Sequence, residues 1–369
     1  MSDKSVVLDN GSYQIKAGFA QEDAPRSVIP TVLGHYKQAF TAEDEARYYV
    51  GSDAQSKREA LSLQSPFSGG TVTNWDTMQK IWDHTFHNDL RLEPKETKMF
   101  MIDPPLNPHS NRETMAQLIF ETFKFSSLYV ITSAVPTLYA SGRSTGVVVD
   151  SGYDVTRVVP VCEGFVMTDE IKQVELAGRA VTNNMTNLIW ESTGNNPPEA
   201  YTFREIKEKF CYVAEDYDLE LQKAGSSDFC KSEYKLPDGT EVSLRNERFD
   251  CTEILFQPYL GGHDCAGIHE ICHQSISKCD ADILEELYSN IVLAGSTTLF
   301  PGMAQRLRRE ITALAPAHTK VKMSEDPKGN LATWLGGSIM ASMTSADQWI
   351  TKEEYEEQGS KVVFQKCPQ

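Results

Sequence analysis

Two short turns carry the residue types that phosphate chemistry needs. Ser5-Val6-Val7-Leu8 runs into Asp9-Asn10-Gly11-Ser12, and Val147-Val148-Val149 runs into Asp150-Ser151-Gly152. Each is an apolar run, expected as a buried strand, that meets a carboxylate, a small polar residue and a glycine. Gly11 and Gly152 let the backbone come close to a ligand, Ser12 can donate a hydroxyl, and Lys16 can set a point charge against phosphate oxygens. Asp9 and Asp150 could hold Mg²⁺ through its water shell, because that ion gives up water reluctantly. Facing one another, the two turns would grip a phosphate chain from opposite sides. An ordinary hairpin with a helpful Asp explains either turn alone, but it explains the pair less well. A third turn weakens it further. Ile291-Val292-Leu293-Ala294 leads into Gly295-Ser296-Thr297-Thr298, and a helical stretch follows from Gly302 to Arg309. Strand, glycine turn, then helix aims backbone N–H groups at phosphate oxygens.

The elements that must position these turns fall into two similar halves. Asp9 and Asp150 are about 140 residues apart, too far for a solenoid repeat but suited to a duplicated domain. Helices are expected from Arg112 to Phe123 and from Tyr201 to Tyr212. Segment 31–65 is polar and acidic and reads as a small appended lobe. Segment 177–263 mixes helix with a hairpin expected around Leu236-Pro237-Asp238-Gly239. No low-complexity linker separates the parts.

Composition narrows the class of function. At 369 residues the chain can bury a large core, and 40% hydrophobic with 24% charged residues argues against wholesale disorder. A net charge of -17 argues against direct nucleic-acid binding, which depends on neutralising phosphates with Lys and Arg. No apolar run approaches a membrane span, so no membrane insertion is expected, and Met1-Ser2-Asp3-Lys4 lacks the apolar stretch of a signal peptide. The expected location is the cytoplasm, with the nucleus as the alternative. The eight cysteines show no Cys-x-x-Cys pair and are expected as free thiols, mostly buried.

The chain resembles the actin family along its whole length. The resemblance rests on long strings: Asp9-Asn10-Gly11-Ser12 through Lys16-Ala17-Gly18-Phe19-Ala20, Asp23-Ala24-Pro25-Arg26, Leu106-Asn107-Pro108, Tyr139-Ala140-Ser141-Gly142-Arg143, Leu176-Ala177-Gly178-Arg179, and Trp334-Leu335-Gly336-Gly337-Ser338-Ile339. It implies an α/β, actin-like ATPase fold, with two duplicated halves, each bearing a small inserted lobe, and ATP or ADP in the central cleft with Mg²⁺, or Ca²⁺ as the alternative ion. The implied division is 1–30, 66–140 and 332–369 for the first large half, with 31–65 as its lobe. The second half is 141–176 and 264–331, with 177–263 as its lobe. By position, Gly11, Ser12 and Lys16 resemble the first phosphate loop and Asp150 to Gly152 the second. Arg204, Lys207 and Glu208 match the residues around adenine and ribose, and Gly295 and Ser296 fall on the third loop. The implied partners are further copies of this chain or other actin-family subunits. Regulators would meet a cleft near Tyr139, Thr145, Phe165, Ile339 and Met343.

The departures gather where the γ-phosphate would lie. Tyr13 stands where the first loop has glycine, Ser133 where the family has the glutamine that orients the attacking water, and Arg157 where it has histidine. Tyr153-Asp154 replaces Asp-Gly, and Ser296 replaces the third loop's second glycine. Serine shares glutamine's polarity but is shorter by about 3 Å. Ser133 and Arg157 are thus the candidate catalytic residues of an ATP phosphohydrolase with reduced activity. The loop on the small lobe, from His35 to Glu45, is shorter and more acidic than in the family. These departures favour a filament-forming or complex-forming actin-related cytoskeletal subunit over a conventional polymerising actin with active ATP turnover, which remains the alternative. A remote third reading comes from His269-Glu270-Ile271-Cys272-His273, a His-Glu-x-x-His string that on a helix would suit the zinc of a metallopeptidase. It lacks an obvious third ligand downstream.

Overall fold

The computed structural model describes residues 4–38, 41, 47–193, 200–226, 230–235, 241–325 and 329–367. The chain divides into two compact units. The first takes residues 1–144, 161–168 and 330–369, and the second takes 145–160 and 169–329.

The first unit is built on a mixed sheet. Its strands are β1 (Lys4–Asn10), β2 (Gln14–Phe19), β3 (Ser27–Pro30), β4 (Thr97–Asp103) and β5 (Ser127–Thr132), with Ile350–Thr351 as a short edge. The order across the sheet is Ile350–Thr351, β5, β4, β1, β2, β3. β1, β4 and β5 run parallel, and β2 returns antiparallel against β1. Both faces are covered, and the alternation of side chains along each strand shows it. Val6, Leu8, Met99 and Met101 join a core containing Trp82, Phe86, Phe123 and Phe125. Val7, Phe100 and Ile102 point the other way, to Trp334 and Trp349. The helix Ala332–Met343 packs close on that second face, where a Cβ on Gly337 would stand 2.6 Å from Ile102 Cδ1. Residues 33–36, 48–50 and 61–64 form a separate three-stranded sheet with its own small core of Val32, Tyr49, Ala54 and Leu61.

The second unit repeats the arrangement. Its strands are β6 (Gly146–Ser151), β7 (Thr156–Cys162), β8 (Lys172–Val174), β9 (Ile291–Ala294) and β10 (Met323–Glu325). They lie in the order β7, β6, β9, β10, with β8 paired to β7. β6, β9 and β10 are parallel. In both units the Asp-bearing strand lies between the strand that follows it in the chain and a parallel neighbour.

The helices match expectation with shifted ends. The first runs His109–Gln117 and then widens into a π-helical turn at Leu118–Thr122, where Phe120 stacks on Tyr355 at 4.6 Å. The others are Ala200–Phe210, Ile268–Ile276 and Met303–Leu314. Strands Ser232–Lys235 and Glu241–Leu244 pair antiparallel, while the expected turn at 236–239 lies outside the described residues, as do 39–40 and 42–46 of the small-lobe loop. All eight cysteines are free, six of them buried. Among the described residues, no helix is long and apolar enough to cross a membrane.

Candidate functional site

In the first unit the predicted residues meet at the carboxyl edge of the parallel strands. Asp9 is the last residue of β1 paired with β4, and its partner across the ladder with β2 is Lys16. Register puts both side chains on one face, and Lys16 Nζ reaches Asp9 Oδ2 at 2.9 Å with both largely shielded. The turn that joins them, with Gly11, Ser12 and Tyr13, is pinned by Thr31. The Thr31 hydroxyl donates to Gly11 O at 2.7 Å, and its N–H donates to Tyr13 O at 2.8 Å. Asn10 is fixed by the indole of Trp82 at 3.2 Å. Ser133 follows β5 directly, where Thr132 is level with Asp103 and Ile102 is level with Asp9. Ser133 therefore lies along the same strand edge as Asp9. Its N–H donates to Asp103 O at 2.8 Å, and it immediately precedes the helix Ala134–Ala140.

The second unit gathers its own set at the matching edge. Asp150 is level with Ala294 across parallel β6 and β9, so Gly295 follows at the same height. Gly295 has φ +81°, a conformation glycine adopts without strain, and a Cβ there would stand 2.5 Å from Asp150 Oδ1. Ser296 is exposed and opens a short 3₁₀ turn. Gly152 O accepts from the Thr297 hydroxyl at 2.6 Å and from Gly178 N at 3.1 Å. Lys207 Nζ, buried, donates to Gly178 O at 2.9 Å. Burial pushes the Lys207 ammonium below its ordinary value. Arg204 and Glu208 sit one turn apart on the same helix at 3.3 Å, with the Arg204 guanidinium 4.9 Å from the Tyr201 ring.

The departures have partners of their own. Arg157 on β7 is buried, and its Nε donates to Gln173 Oε1 at 2.7 Å, because the two are level across β7 and β8. Buried Asp154 pairs with Arg179 at 3.2 Å, and Tyr153 O accepts from Arg179 N at 2.8 Å. Burial raises the Tyr153 phenol and Asp154 adds to this, with Arg179 and Arg204 opposing. Thr31, Gln173, Gly178, Arg179 and Thr297 all shape these loops, and residue type and spacing alone assign none of them a ligand contact. Gly178 and Arg179 lie in the Leu176–Arg179 string and Thr297 in the third glycine turn, whereas Gln173 is found only through strand register.

The expected regulator surface is divided. Tyr139, Phe165, Ile339 and Met343 are exposed in the first unit, Phe165 at 76%, and the Tyr139 hydroxyl donates to Met343 Sδ at 3.2 Å. Thr145 belongs to the second unit and is buried.

The His-Glu-x-x-His reading does not hold. Its helix, Ile268–Ile276, exists, but Glu270 and His273 are committed elsewhere. His273 Nδ1 is 2.8 Å from the Tyr288 hydroxyl, and Glu270 turns back to accept from Gly267 N at 2.7 Å, capping the helix. His269 stacks on Phe256, with ring centroids 5.7 Å apart. Among the described residues no group of three or more His, Cys, Asp and Glu is placed to hold a metal.

Two α/β units, each with a strand, carboxylate and glycine turn at the carboxyl edge of parallel strands, place the chain in the class of duplicated α/β folds. The family model for actin matches residues 2–368, and the chain belongs to the actin family. Members of this family generally bind a nucleotide with a divalent cation and typically serve the cytoskeleton. The residues present fit that group. Each unit by itself carries matching chemistry: the first has the carboxylate of Asp9 and the ammonium of Lys16 beside its turn, and the second has the carboxylate of Asp150 against the backbone of Gly295, carboxylate oxygens being of the hard type a divalent cation takes.

Proposed function

We propose that this chain binds ATP or ADP with Mg²⁺, or with Ca²⁺ as the alternative ion, and hydrolyses ATP slowly. It works as a filament-forming or complex-forming actin-related subunit in the cytoskeleton. The observation that carries the reading is the repeated placement of Asp9 and Asp150 at the carboxyl ends of parallel strands, where α/β folds take their ligands. In this reading Lys16 answers phosphate charge and Ser12 donates to a phosphate oxygen. Lys207 and Arg204 hold the nucleoside end, and the bound cation neutralises charge on the phosphates. Ser133 stands at the position from which the attacking water would be oriented, but its reach is short.

Partners are further copies of this chain or other actin-family subunits, with regulators using the exposed Tyr139, Phe165, Ile339 and Met343. The test of binding is a melting curve of nucleotide-free protein with and without Mg-ATP. A ligand that binds only the folded state raises the melting temperature by mass action. Superimposed curves would refute the proposal.

A further inference from the structure

Two thiols of the second unit lie in contact. Cys251 Sγ is 3.4 Å from Cys211 Sγ, with Cys251 fully buried and Cys211 exposed by only 4%. A disulfide is about 2 Å long, so joining the two sulfurs takes about 1.4 Å of approach. The backbone holds them in reach. Cys211 directly follows the helix Ala200–Phe210, and Cys251 lies within the helix Glu247–Glu253. Tyr212 N donates to Arg248 O at 3.1 Å, and the Thr252 hydroxyl donates to Tyr212 O at 2.7 Å. The neighbours of each cysteine are thus tied to the segment that carries the other. The Cys211 thiol also meets Met185 Sδ at 3.8 Å, so soft sulfur surrounds it on more than one side.

Lys207 stands one turn before this pair, since Cys211 N donates to Lys207 O at 3.1 Å. Burial holds the Cys251 thiol well above its ordinary value, with Cys211 adding to this and the Lys207 ammonium opposing. The pair therefore rests as thiols, consistent with all eight cysteines being free, and reacts only when local opening admits an oxidant.

We propose that a peroxide converts Cys211 and Cys251 into a reversible disulfide, and that this bond latches the end of the helix carrying Arg204, Lys207 and Glu208. The bond stands on the sulfur geometry alone, while the consequence of the latch for nucleotide rests on the proposed function. Cys211, which keeps some exposure, reacts first. Its thiolate attacks one peroxide oxygen, the O–O bond breaks, and a sulfenic acid forms while the departing hydroxide takes up the thiol proton as water. The Cys251 sulfur then attacks the sulfenyl sulfur. The S–S bond forms, the S–O bond breaks, and the hydroxide leaves with the Cys251 proton as a second water. The two thiols together give up two electrons, and one peroxide is reduced to two waters. The closed loop spans about 40 residues and restricts the unfolded chain, so the oxidised protein melts higher.

The test starts from Cys162→Ser with Cys265→Ser, which removes the two cysteines that are not buried. Treated with hydrogen peroxide, this protein should lose two of its six remaining thiols and melt several degrees higher. Mass spectrometry without reductant should find the peptides of Cys211 and Cys251 joined. Dithiothreitol should reverse all three changes. Adding either Cys211→Ala or Cys251→Ala should abolish the joined peptide and the rise in melting temperature. Thiol loss without that joined peptide, or an equal rise in the alanine variants, would overturn the inference. The oxidised protein should also release bound ATP severalfold more slowly than the reduced protein, and a bond that forms without slowing release would overturn the latch. Failure of the reduced protein to bind ATP would instead refute the proposed function, with the bond still decided by thiol count and melting.

Discussion

Lys16 Nζ lies 2.9 Å from Asp9 Oδ2, and the two residues are direct partners across the β1–β2 ladder. The ammonium is therefore fixed by strand register before any phosphate reaches it, and a pre-positioned charge loses little freedom on binding.

Replacing Lys16 should consequently have two separable effects. Lys16→Ala leaves the shielded Asp9 carboxylate without its partner, and the nucleotide-free protein should lose about 1–3 kcal/mol. Lys16→Ala with Asp9→Asn should recover most of that stability. Neither variant should recover the rise in melting temperature on adding Mg-ATP. Full ATP stabilisation in the double variant would show that the pair is structural only.

A buried ion pair in the second unit should be far more sensitive. Arg306 grips Glu253 with both nitrogens, at 2.8 and 3.0 Å, and Glu253 is fully buried. Arg306→Met strands that carboxylate and should cost about 3–5 kcal/mol. Adding Glu253→Met should restore much of the loss. Urea midpoints of the single and double variants decide it, and equal midpoints would remove the argument.

Asp250 supplies a pH test. Burial pushes its carboxyl up from 3.8 to about 6, although the Tyr217 hydroxyl bonded to it pulls the other way. A raised folded value means that the folded state holds the proton more tightly. Stability from this group is full below about pH 4 and is lost as pH rises through 6. Asp250→Asn keeps an acceptor for Tyr217 and should be more stable than wild type at pH 7.5 by about 1–2 kcal/mol, allowing for partial exposure. The difference should vanish by about pH 4. A constant difference across that range would assign the effect to packing.

Zinc should have no effect on folding. His273 and Glu270 are occupied by Tyr288 and by the Gly267 backbone. Neither equimolar zinc nor a chelator should move the melting temperature. A rise with zinc that disappears in His269→Phe would reinstate a metal site.

Much of this architecture was legible because it is local. The apolar runs before Asp9, Asp150 and Gly295 mark β1, β6 and β9, and the glycines mark their turns. The His-Glu-x-x-His string, a remote reading from the start, shows the limit of such local information. Spacing on a helix is local information, whereas Tyr288, which occupies His273, comes from another helix. Gln173 was illegible for the converse reason. Its hold on Arg157 depends on the pairing of β8 with β7, and β8 is three residues long with alternate exposure, too short for periodicity to reveal. The widening of the helix at Leu118–Thr122 likewise answers to Phe120 and Glu121 meeting Tyr355, from the far end of the chain.

The central claim is that ATP is held but slowly hydrolysed, and single-turnover phosphate release from the preformed Mg-ATP complex tests it most directly. Wild type should retain most of its ATP over a period in which Ser133→Gln releases phosphate about tenfold faster or more, because a longer side chain can reach and orient the attacking water. Arg157→His should be measured beside it, since a guanidinium held by Gln173 can steady charge but cannot accept the water's proton. Phosphate release by wild type as fast as by Ser133→Gln, with ATP equally bound in both, would contradict the account.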